Sequence, residues 1–129
     1  MQNLDRLSDT ELLERTSGLV LVEHGAVADV VEHLVEIDRR RLYLGHAYPS
    51  LYAFCVEHLG YTEDAALKRI RVARLALEFP RALDELRSGA IQLTGLLMLT
   101  PYLNENNEEA LLTEARGNKR WQLACLIAQ

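Results

Sequence analysis

Residues 51–93, LYAFCVEHLGYTEDAALKRIRVARLALEFPRALDELRSGAIQL, decide how the chain is read. A short amphipathic run closes at Gly60, the Gly60-Tyr61-Thr62 turn follows, and a basic helical run opens at Glu63. Gly60 supplies the positive φ that the residue after a helix end requires. Ser50 and Thr62 stand where hydroxyl N-caps are needed. The spacing therefore predicts helices over 51–59 and 63–78. Pro80 suits the first position of a further helix, which runs to Arg87 and stops at Gly89. A helix, a tight turn, a second helix and a supporting helix form the helix-turn-helix pattern.

In the 63–78 helix, Ala66, Leu67, Ile70, Ala73 and Leu77 are the expected core face. Lys68, Arg71 and Arg74 recur at i, i+3 and i+6 on another face, with Arg69 beside them. Such a stripe serves either as a solvated face or as a set of phosphate contacts. Glu63 and Asp64 favour the positive end of the helix macrodipole and repel phosphates. A carboxylate there can also accept from cytosine N4.

Upstream, Ser8-Asp9-Thr10-Glu11 is a capping box, and Leu12, Leu19, Val27, Val30, Val31, Leu34 and Ile37 recur at helical spacing. They predict one long helix over 9–41, with a break near 17–18 as an alternative. Gly18 and Gly25 each cost such a helix about 1 kcal/mol relative to Ala. Their seven-residue spacing either marks tolerated weak points or admits a second helix, which makes a homodimer through helix 9–41 an expectation. Arg39-Arg40-Arg41 ends the run, as helix-end cations or as phosphate contacts. Downstream, Ile91 and Leu93 are expected to be buried connectors. Thr94 is expected to cap a short helix ended by Pro101, and Asn104 or Asn106 to start a helix reaching Arg116. Residues 119–128 form a last helix that stops in mid-pattern at Gln129, as in a domain cut from a longer chain.

The 129 residues suit one domain, of which 49% are hydrophobic and 26% charged, too apolar a balance for a disordered chain. No apolar run reaches the length of a membrane span, and no membrane partner is expected. The N-terminus has acids where a signal peptide needs an apolar centre, which implies a cytoplasmic protein. Cys55 and Cys125 are too few for a disulfide framework and read as reduced core thiols. The net charge of −5 opposes strong non-specific DNA binding. It is unevenly placed, however: residues 1–38 carry nine acids against two arginines, whereas 39–87 carry nine bases against six acids.

Segment Leu59–Leu93 resembles the DNA-binding domain of ParB-type chromosome- and plasmid-partition proteins. Gly60-Tyr61-Thr62 matches the family's Gly-x-Ser/Thr turn, Arg71 its recognition-helix arginine, and Pro80, Leu83, Leu86, Gly89 and Ile91 its Pro-x-x-apolar-x-x-Leu-x-x-Gly-x-Ile block. The stretch between Arg71 and Pro80 is about one turn longer than in that family, and its nucleotide-binding N-terminal domain has no counterpart. The run from Asp38 to Pro80 also looks like the helical region upstream of the nuclease in bacterial His-Asn-His (HNH) endonuclease-like proteins. The metal-binding module that carries catalysis there is missing from this chain, so the resemblance implies a non-catalytic recognition part.

Other chemistry is poorly served. Cys55 and His58 have a ligand-like spacing, but zinc normally takes four ligands, and a buried thiol beside a surface histidine is the simpler reading. Asp29 with His33 and Glu32 with Glu36 read as a solvated helix face. No phosphate-cradling glycine loop or nucleophile elbow occurs. Of the aromatics Tyr43, Tyr48, Tyr52, Tyr61, Tyr102 and Trp121, only Tyr61, in the turn, is placed to stack on a base; the others read as core or partly buried.

The expectation is an all-α single domain over 1–129: a long acidic helix at 8–41, a ParB-like helix-turn-helix with its supporting helix at 50–93, and C-terminal helices at 94–129. The expected function is a non-catalytic module that binds double-stranded DNA through Thr62, Lys68, Arg69, Arg71 and Arg74, with Tyr61 beside them. No cofactor, metal or small-molecule substrate is expected. The alternatives are a protein-interaction or dimerisation module of the same fold that has lost DNA binding, and the N-terminal part of an HNH endonuclease-like protein.

Overall fold

The computed structural model describes residues 1–128, apart from the side chains of Arg120 and Trp121. Its described residues form helices and turns, with no strand among them. Helix α1 spans Asp9–Arg40 without interruption. The Ser8 hydroxyl accepts from the Glu11 amide at 3.1 Å, and the Glu11 carboxylate accepts from the Ser8 amide. That is the reciprocal capping box, and it fixes the start of the helix. Gly18 does not break α1: a Cβ there, or at Gly25, would meet nothing within 4 Å.

Arg41, in the left-handed region at φ 51°, turns the chain into a short α2, Leu42–Gly45. Helix α3, Leu51–Ala53, starts at Ser50, whose hydroxyl accepts from the Ala53 amide at 3.0 Å. It continues as a π turn over Phe54–His58 rather than as the regular helix expected to residue 59. The wider turn lets the adjacent Phe54 and Cys55 both enter the core. Phe54 then stacks on His58 with ring centroids 4.8 Å apart.

Helix α4, Glu63–Glu78, is the central helix and packs against α1, α3, α5 and α6. Helix α5, Arg81–Ser88, ends at Gly89 in the left-handed region and lies along α1. Gly89 has a second constraint beyond its φ of 79°: a Cβ would lie 2.5 Å from the His24 ring. Helix α6 covers Leu93–Leu99, with Gln92 rather than Thr94 at its N-cap, followed by a 3-10 turn over Thr100–Tyr102. Helix α7, Glu108–Ala115, begins after Asn107, later than expected. Asn104 instead accepts from the amides of Asn106 and Asn107 and shapes the loop before it. Helix α8 spans Arg120–Ala128.

One core joins these elements: Ala28, Val31 and Leu34 from α1 meet Ile70, Val72, Ala73 and Leu75 from α4, Leu86 from α5, Leu96 and Leu99 from α6, Leu112 from α7 and Leu123 from α8. A single charged side chain is buried among the described residues. Glu85, 1% exposed, accepts from Arg116 Nε at 2.8 Å and Nη2 at 2.6 Å, and from Arg81 Nε at 3.3 Å. Arg81 also donates to the Thr113 hydroxyl at 2.8 Å, so this cluster ties α5 to α7. Arg116, ahead of Arg81, holds the Glu85 carboxyl below the usual carboxylate range, against the opposing effect of burial.

Two carboxylates on the solvated face of α1, Asp29 and Glu32, also have a structural partner. Arg87 on α5 donates to Asp29 at 2.7 Å and Glu32 at 3.1 Å, clamping α5 to α1. Cys55 is buried, whereas Cys125 is exposed rather than in the core. Tyr102, also expected inside, is 51% exposed. The Trp121 side chain lies outside the described residues. No described helix is long and apolar enough to cross a membrane.

Candidate nucleic-acid interface

The turn and the second helix of the 51–78 unit are built by two local requirements. Gly60 takes φ 80°, which an L side chain rarely adopts. Thr62 Oγ1 accepts from the Ala65 amide at 3.2 Å, satisfying one free donor at the start of α4. Glu63 and Asp64 occupy the first turn, where the macrodipole favours anions. Their charges are partly engaged. Asp64 accepts from Lys68 Nζ at 3.1 Å, and Glu63 stands beside Tyr52, whose hydroxyl is pushed up by burial and by that neighbouring carboxylate.

The buried face of α4 is rotated from the expected one. Ala66, Ile70 and Ala73 are buried as expected, together with Val72, Leu75 and Ala76. Leu67 and Leu77, expected in the core, are 38% and 62% exposed. The outward stripe therefore reads Leu67, Arg71, Arg74, Leu77 and Glu78, with the two acids at its start.

The four cations of α4 do not form one patch. Arg71 and Arg74 stand exposed on the outward stripe, and among the described residues neither makes an ion pair or a side-chain hydrogen bond. Lys68 lies on the flank, tied to Asp64. Arg69 is turned into the fold: its Nη1 donates to the Ala65 carbonyl at 3.1 Å and its guanidinium lies 4.6 Å from the Tyr61 ring centre. Its Nε is buried with no hydrogen-bond partner among the described residues. Tyr61 is half-buried beneath that guanidinium, and its backbone amide donates to the Cys55 carbonyl. Arg69 and Tyr61 are thus a cation–π pair that braces the turn, and Thr62 is the cap that orients the helix.

Beside the first turns of α4 lies an open cleft of about 730 Å³ between α1, the α5–α6 link and the α7–α8 link. Its polar lining includes His24, Lys68, Arg69, Asn118 and Lys119, set against Glu23 and Asp64. The mixture of signs gives no dominant field for an anion or a cation. No group of three His, Cys, Asp or Glu side chains among the described residues could hold a metal ion. Burial raises the Cys55 thiol, partly opposed by Arg69, which disfavours the thiolate that a nucleophile or ligand needs.

Arg39, Arg40, Arg81, Arg87 and Arg116 already have partners. Arg39 and Arg40 both bond Glu36, and those contacts hold its carboxyl at about 2. The paired arginines of α5 and the α7–α8 link serve the Glu85 and Asp29/Glu32 clusters. Sequence pattern did not find these clusters, because the ion pairs that join separate elements in them are 31 to 58 residues apart. Within α4, Arg71 and Arg74, which have no ion-pair partner among the described residues, are the cations best placed to meet an external anion. No family model, curated protein or solved structure matches the chain.

Proposed function

We propose that the chain is a non-catalytic DNA-associated recognition module that uses the helix-turn-helix of α3 and α4. The observation that carries the reading is the pair Arg71 and Arg74, exposed one turn apart on the outward stripe of α4, with no ion-pair partner among the described residues. Two such arginines can each neutralise a phosphate. Lys68 adds a third cation on the flank, Thr62 sets the start of the helix, and Arg69 with Tyr61 holds the turn in shape. The first three groups touch phosphate or position those that do; Arg69 and Tyr61 act from behind. The ParB-type pattern of the same residues supports this reading, and the likeness to HNH endonuclease-like proteins supports a recognition part that works beside a catalytic one.

The test is binding to duplex DNA of random sequence at low and near-physiological salt. Arg71→Glu with Arg74→Glu is expected to weaken binding at least tenfold while the circular dichroism spectrum is unchanged. Equal affinity of that variant and the parent would refute the reading.

A second reading, a protein-interaction module, is favoured by a separate observation. The N-terminal half of α1 leaves the body of the fold with every residue from Asp9 to Glu23 exposed.

A further inference from the structure

Glu63 and Asp64 open α4, and a helix that only held phosphates would bind them better without two acids. The two differ in placement. Asp64 is engaged by Lys68 on the flank. Glu63 is exposed and belongs to the outward stripe. At 3.6 residues per turn, Leu67 and Arg74 lie within about 40° of it around the helix, and Arg71 within about 80°. A carboxylate has acceptor sites on both oxygens, so the neighbouring Tyr52 hydroxyl leaves capacity for an outside donor.

The stripe is long enough to divide between bases and phosphates. At 1.5 Å per residue, Leu67 lies about 6 Å along the helix from Glu63, Arg71 about 12 Å and Arg74 about 17 Å. The major groove is about 12 Å wide. A helix that enters it by its first turn therefore holds Glu63 and Leu67 over base edges while Arg71 and Arg74 reach the flanking phosphates. What the two inner residues recognise follows from their chemistry. A carboxylate accepts hydrogen bonds only, so the acceptors of guanine and thymine repel it. Adenine sets its N6 donor beside the N7 acceptor, whereas cytosine presents the N4 donor alone. Leu67, 38% exposed, offers methyl groups that match the thymine methyl. The repulsion between Glu63 and phosphate weakens every site that lacks the donor, and so sharpens the choice.

We infer, on the reading that α4 meets duplex DNA, that Glu63 and Leu67 are its base-reading residues. Glu63 accepts from cytosine N4, and Leu67 covers a thymine methyl about two base steps away, since successive bases are about 3.4 Å apart. Arg71 and Arg74 supply affinity; Glu63 and Leu67 supply the preference. Asp64, tied to Lys68, reads no base. Neither does Glu78, which lies about 22 Å along the helix from Glu63 and outside the groove.

The experiment is selection of duplexes from a randomised pool by the full chain, at low and near-physiological salt. Parent, Glu63→Gln and Leu67→Ser are run in parallel, with circular dichroism as the check of folding. The parent is expected to enrich cytosine at one position about tenfold over the other bases, with thymine about two steps away. Glu63→Gln is expected to move the first preference from cytosine to adenine, because glutamine bonds adenine N6 and N7 together, and to leave the thymine in place. Leu67→Ser is expected to remove the thymine preference and keep the cytosine. A helix-start role for Glu63 would change affinity without changing the base preferred. A parent that binds duplexes through Arg71 and Arg74 with no cytosine preference overturns the inference and spares the DNA contact. So does a cytosine preference that survives Glu63→Gln. A parent that retains no duplex at either salt overturns both.

Discussion

Glu85 offers the sharpest test of how the body is held together. Its carboxylate is 1% exposed and receives Arg116 and Arg81, whose side chains are 51% and 24% exposed. Deleting one partner of a buried ion pair costs about 3–5 kcal/mol when the orphaned charge stays buried. Both arginines can regain water here, so Glu85→Gln is expected to cost roughly 1–3 kcal/mol at pH 7. For a domain of this size that is a fall in Tm of about 4–12 °C. The sign of the pH dependence follows from the cause. The guanidinium of Arg116, then that of Arg81, holds Glu85 below its ordinary value of 4.5. A depressed carboxyl contributes stability that is fully present above the unfolded value and is lost as pH falls through the folded one. Urea unfolding of parent and Glu85→Gln should therefore show a constant gap from pH 7 to 5 and a narrowing gap below 4.5. Equal stability at pH 7, or a gap that does not narrow in acid, would refute the assignment of Glu85 as a charged structural centre.

Three further outcomes follow from single contacts. Gly89→Ala combines a left-handed φ with a Cβ driven into the His24 ring, for a loss of roughly 2–4 kcal/mol. Adding His24→Ala should recover the steric part alone, as read by thermal unfolding. Thr62→Ala removes the cap of α4 and should cost about 1 kcal/mol, a change that denaturant titration resolves. Gly18→Ala places its Cβ in open space on a projecting helix and should favour that helix by up to about 1 kcal/mol. The gain appears as slower amide exchange across residues 15–22 at concentrations where the chain is monomeric, with little change in global unfolding.

Single-residue conformational demands were the most legible part of the sequence. The Ser8–Glu11 capping box, the Ser50 and Thr62 caps, and the left-handed stops at Gly60 and Gly89 all occur where local chemistry places them. Burial was less legible. Helix α4 is packed by several neighbours, so its buried arc is wide, and periodicity alone could not decide which leucines at its border face inward. Leu67 and Leu77 fell outside, and Val72, Leu75 and Ala76 fell inside. The same applies to α1. At 32 residues it is about 48 Å long, and its apolar repeat reads alike where the body covers Val31 and Leu34 and where nothing covers Leu19.

Long-range ionic clusters left no periodic trace, since Arg116 and Glu85 are 31 residues apart. The basic stripe of α4 was visible as four cations. Their division into an exposed pair at Arg71 and Arg74, a flanking Lys68 and an inward Arg69 depended on the packing of Tyr61 and Ala65 around that last guanidinium.

The proposed contact between the cations of α4 and DNA fixes how duplex binding must depend on salt. Each phosphate contact contributes a slope of about −0.9 in log K against log salt. With Arg71, Arg74 and Lys68 engaged, the parent chain should show a slope of about −3, and replacing Arg71 or Arg74 by Gln should reduce its magnitude by about 1 each. Replacing Arg69 by Gln should alter stability more than the slope, because its guanidinium is engaged with Tyr61 and Ala65. Absence of binding at low salt, or a slope unchanged by the Arg71 and Arg74 replacements, would contradict the account.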